Sequence, residues 1–140
     1  MSTPTTPYQA TADLAYGYSL GALLSDPDRP GWARNCTDND QLIDAATRQL
    51  LLAADLDVDG PTWRWHERLQ EHCGLTLLTV IRSRDDHTFI AAWTHHADEP
   101  ADLDLPATGP DVTVRLDAAL RILGVIATHP APRYVLIPCN

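Results

Sequence analysis

The chain has 140 residues, 44% of them hydrophobic with a single Phe. That is one domain of ordinary size, able to bury about two-thirds of its unfolded surface around Leu, Ile, Val, Ala and four Trp. Nineteen acidic against ten basic residues give a formal charge of −9, a sign that repels phosphate backbones and argues against nucleic-acid binding by counterion release.

All ten basic residues are Arg, and sixteen of the acids are Asp. An acidic surface of this kind favours solubility, basic partners or cations. Cys36, Cys73 and Cys139 are odd in number, far apart and without a CxxC pair, so the sequence signals neither a disulfide framework nor a zinc knuckle, and reduced thiols fit best. Residues 1–14 show neither a basic n-region nor an apolar h-region, and no apolar run approaches the roughly 20 residues of a membrane span. The expectation is a soluble, cytoplasmic protein.

In chain order, residues 1–13 read as a loosely ordered lead-in rich in Thr and Pro, with a single domain over 14–140. Tyr16, Tyr18 and Leu20 alternate and favour a strand, though Gly17 and Gly21 weaken it. The prolines of Asp26–Gly31 make a loop, from which Trp32 folds back onto the body. Thr37 or Asp38 caps a helix over 39–54 with an apolar stripe of Leu42, Ile43, Ala46, Leu50, Ala53 and Ala54. Pro61 starts a second helix that Gly74 closes, with Trp65, Leu69 and Cys73 or His72 inward.

Leu75–Arg82 and Thr88–Thr94 are β-rich runs separated by the polar cluster Ser83–His87, which predicts an antiparallel hairpin. Alternation sets Leu75, Leu77, Thr79 and Ile81 against Thr76, Leu78, Val80 and Arg82, and sets Phe89, Ala91, Trp93 and His95 against Ile90, Ala92, Thr94 and His96. Both faces are apolar, so both need cover, from helices or from a second copy of the chain. An acidic connection over 97–110 reads as a surface loop. A third helix over 110–123 ends at Gly124, and Tyr134–Ile137 forms a last strand beside the hairpin. The order β-α-α-β-β-α-β predicts an α+β fold: a mainly antiparallel sheet of three to four strands with helices packed on it.

The sharpest motif is Asp55–Gly60, DLDVDG, which matches positions 1, 3, 5 and 6 of an EF-hand loop and offers Asp55, Asp57 and Asp59 as calcium ligands. The match stops there, since position 12 is His66 rather than a bidentate Glu. The bland alternative is an interhelical turn with solvated aspartates. His66 and His72 lie six residues apart on their helix, off a common face, and read as surface residues. His87, Trp93 and His95 on one strand face, with Trp65, make a candidate ligand pocket; a core Trp and a rim His are the structural alternative. Asp98, Glu99, Asp102 and Asp104 form a candidate acidic partner-binding surface, or a solvated loop. No G-x-S-x-G elbow, P-loop or Rossmann fingerprint occurs, so no catalytic residue is assigned.

The segments Tyr16–Gly21, Asp44–Ala46 with Leu50–Ala54, and Pro132–Leu136 together resemble a loose set of small proteins from actinobacteria and their phages that carry no established activity. The resemblance runs from Tyr16 to the end and departs at Asp26–Asn35 and at Cys139–Asn140. It implies an accessory protein that binds a host or defence protein. The expected function is a non-enzymatic interaction protein, a homodimer with a protein partner and no cofactor. The alternatives are a small ligand-binding or hydrolytic domain with the His and Trp pocket, and a calcium-binding module.

Overall fold

Strand β1 (Ala12–Gly21) is the centre around which the other elements assemble. The computed structural model describes residues 12–81, 86–97 and 108–138. After β1 come two short 3-10 turns, helix α1 (Asn39–Ala53), helix α2 (Thr62–Cys73), strands β2 (Thr76–Ile81) and β3 (Asp86–Ala97), helix α3 (Pro110–Leu123) and strand β4 (Arg133–Pro138). The protein is α+β, and the described residues form four antiparallel strands in the order β2-β3-β1-β4. The predicted lead-in falls mostly on residues outside those described, as do the hairpin tip at 82–85 and the acidic segment 98–107.

The helix ends follow their local chemistry. Asp38 caps α1, its carboxylate accepting from the Gln41 N–H at 2.8 Å while the Gln41 side chain accepts from the Thr37 N–H at 2.9 Å. Gly74 and Gly124 stop α2 and α3 in the left-handed region, at φ 65° and 68°. The Trp32 indole N–H reaches back to donate to the Leu123 carbonyl at 2.8 Å, pinning the proline-rich loop over the end of α3.

All three helices pack on one face of the sheet. Leu42, Ala46, Leu50 and Leu51 of α1, Leu69 of α2 and Leu116, Ala119 and Leu123 of α3 meet Tyr16, Tyr18, Leu20, Leu77 and Ile90. The opposite face carries a second buried cluster of Ala15, Val80, Phe89 and Ala91, flanked by Leu78, Val135 and Ile137, to which no helix contributes among the described residues. The hairpin therefore has two apolar faces, and β2 splits between them as its alternation predicts. Among the described residues no helix is long and apolar enough to cross a membrane.

Two expectations are corrected. The last strand, β4, does not lie beside the hairpin; it pairs with β1, which separates it from β3. The ten-residue β1 places Tyr16 and Tyr18 in one buried cluster and Ala15 in the other and sits centrally, leaving the six-residue β4 at the margin among the described residues. Strict alternation along β3 also fails. Tyr16 faces Trp93 but Gly17 faces Ala91, so one residue of β3 is extra and everything beyond it changes face.

Candidate functional site

That bulge decides which side chains meet. Phe89 and Ala91 belong to the helix-free face, whereas Trp93 shares the helix-side face with Tyr16. His95, opposite Leu14, follows Trp93, while His87, opposite Val80, stays with Phe89. The predicted pocket is thus divided: Trp93 and His95 lie on one face, His87 on the other. Trp65 belongs to α2, where its indole N–H donates to the Val58 carbonyl at 2.9 Å and secures the α1–α2 loop.

What Trp93 joins instead is an aromatic triangle. Its ring stacks on Tyr16 at 5.8 Å with a 12° tilt, and Tyr134 of β4 leans on both, at 5.0 Å from Tyr16 and 6.0 Å from Trp93. Tyr16 is buried; Tyr134 is 48% exposed and Leu136, two residues along the same face of β4, is 65% exposed. Cross-strand aromatic contacts hold the inner part of this platform, each contributing about 0.5–1.5 kcal/mol beyond burial. Its outer part lies along β4, the marginal strand of the sheet among the described residues.

The Asp55–Gly60 loop turns tightly, with φ of 58° at Asp55 and 87° at Gly60. Asp57 uses its carboxylate to accept from the Asp59 N–H at 3.0 Å, and the Arg68 guanidinium donates to the carbonyls of Asp57 at 2.8 Å and Asp59 at 3.2 Å. The side chains of Asp55, Asp57 and Asp59 are exposed. Among the described residues no group of three or more His, Cys, Asp or Glu is placed to hold a metal ion. The acidic surface of Asp98, Glu99, Asp102 and Asp104 lies outside the described residues.

Two polar clusters went unforeseen. His66, expected on the surface, is half-buried and clamps α2 to α1, its ring nitrogens 2.8 Å from Asp44 Oδ1 and 3.3 Å from Thr47 Oγ1. Tyr18, 4% exposed, donates its phenol to Asp117 at 2.8 Å, beside the ring of His129. His129 Nε2 accepts from the Ser19 N–H at 3.0 Å while Nδ1 donates to the Ala131 carbonyl at 2.6 Å, so both nitrogens tie the segment after α3 to β1. The Thr128 N–H adds a bond to the Ser19 carbonyl at 2.9 Å. Periodicity carries no signal for partners 99 and 110 residues apart in sequence.

These groups are held in their less reactive forms. Burial, with the Asp117 carboxylate beside it, pushes Tyr18 up to about 12, so the phenol stays protonated at neutral pH. Burial also raises the Cys36 thiol, against the opposing pull of Arg29, and raises Cys73. Neither thiol is a ready nucleophile.

No protein-family model matches the chain, and no curated protein or solved structure matches it either.

Proposed function

We propose that the chain is a non-enzymatic interaction protein that engages a protein partner along β4, beginning with a second copy of itself. What carries the reading is the pair Tyr134 and Leu136, half or more exposed on a marginal strand and backed by the rigid Tyr16 and Trp93 rings. A marginal strand offers backbone donors and acceptors to an incoming strand, and its outward side chains select the partner. Antiparallel pairing of β4 with its copy would continue the sheet across two molecules with isologous symmetry. In that form the protein binds and modulates a host or defence protein in the cytoplasm, the setting that the likeness to small actinobacterial and phage proteins suggests.

Light scattering over a concentration series tests the self-pairing. The wild-type mass should double with concentration, and Leu136→Lys should hold it at one chain while leaving stability within about 0.5 kcal/mol, because the side chain is largely in water already. A wild-type chain that stays monomeric at its solubility limit defeats the proposal of self-pairing.

A further inference from the structure

Away from the sheet margin, the C-terminal ends of α1 and α2 and the middle of α3 enclose a groove of about 330 Å³. Leu50, Leu75, Ala118 and Ile122 form its apolar walls, and Arg115 and Cys73 line it. Arg115 Nε is sealed from solvent and has no hydrogen-bond partner. No ion pair or hydrogen bond to its guanidinium occurs among the described residues, although Asp111 stands one turn earlier on the same helix. The guanidinium instead lies against Gly74, where an added Cβ would come within 3.2 Å of Cζ and 3.3 Å of Nε.

A buried donor without an acceptor is costly, and more so when charged. In a chain with nineteen acids and a net charge of −9, a half-buried guanidinium that meets no acid among the described residues stands as a placed cation at the groove. Arg presents a planar fork that matches a carboxylate with two parallel N–H···O bonds, and the walls suit a hydrocarbon body. A few convergent polar groups within an apolar concavity are the usual form of a small-molecule site. We infer that this groove binds an amphipathic monocarboxylate, its carboxylate on Arg115 and its apolar chain along Leu50, Leu75 and Ile122. The site is independent of β4.

Isothermal titration of the folded full chain with octanoate tests it, alongside octanamide, acetate and octyl phosphate. Octanoate should bind saturably and shift the backbone amide resonances of Cys73 and Gly74. Octanamide, lacking the charge, and acetate, lacking the chain, should each bind at least about tenfold more weakly. Arg115→Met keeps the aliphatic stem but should weaken octanoate about tenfold to a hundredfold. Ala118→Leu should block the groove with the guanidinium intact, and circular dichroism confirms that each variant is folded. The inference fails if octanoate does not saturate, if octanamide binds as well, or if Arg115→Met binds unchanged; octyl phosphate binding more tightly than octanoate overturns the carboxylate assignment.

Discussion

Gly17 is the residue on which the sheet geometry turns. A Cβ there would lie 1.8 Å from the Ile90 carbonyl oxygen and 2.8 Å from the Ala91 Cα, both backbone atoms with no side-chain freedom to yield. Gly17→Ala must push β1 and β3 apart at the bulge, and should cost on the order of 3 kcal/mol or more, read as a fall in the denaturation midpoint. Tyr18 makes a different prediction. Its phenol ionises near its ordinary value of 10.0 when unfolded but only at about 12 when folded, so its contribution is complete below pH 10 and is lost as pH rises through 12. Two units correspond to at most about 3 kcal/mol. Wild type should therefore lose stability relative to Tyr18→Phe between pH 10 and 12, while at neutral pH the Phe variant is weaker by about 1 kcal/mol for the missing bond to Asp117. Parallel denaturation curves at pH 8 and pH 11 would expose an error in sign.

Elements bounded by local chemistry were legible before any coordinates. Asp38 at the start of α1, Gly74 and Gly124 at the ends of α2 and α3, and the split of Leu77 from Leu78 and Val80 in β2 all depend on neighbours within a turn or a pleat. What escaped depends on distant partners. The β3 bulge exists because the β1 backbone approaches Ile90, and nothing in the sequence around Ala92 announces it, so a parity count from Phe89 to Trp93 misplaces the ring. The site was less legible than the fold for the same reason: Tyr134 joins Tyr16 and Trp93, and Arg115 meets Gly74, only through strand order and helix packing. The α1–α2 loop shows how a local motif can take another use. Arg68 already supplies a cation to the carbonyls of Asp57 and Asp59, and Asp57 is engaged by the Asp59 N–H. Millimolar calcium should leave the melting temperature unchanged; a rise would mean that the aspartates gather around an ion after all.

At the scale of the whole molecule, the sheet is unequal in strength across its width. β1 and β3 lie side by side in its interior, with Ala15, Ile90 and Ala91 fully excluded from solvent, while β4 is the marginal strand among the described residues and leaves Tyr134 and Leu136 exposed. Free energies of local opening follow buried apolar contact and shielded backbone bonds, so the β1–β3 ladder should exchange its amide hydrogens only on global unfolding, and β4 should open at lower cost. Native-state hydrogen exchange across sub-denaturing urea measures both: β1–β3 amides should share the global free energy and urea dependence, and β4 amides should show a smaller value of each. The same measurement separates an idle margin from a working one. If β4 pairs with a second copy, association adds to its protection by mass action, so its exchange should slow with protein concentration while that of β1 and β3 changes far less. Leu136→Lys should abolish the concentration dependence and leave the dilute-limit rates in place. β4 protection that is high and independent of concentration would mean that the strand is already satisfied within one chain, and the partner would then have to be sought on another surface.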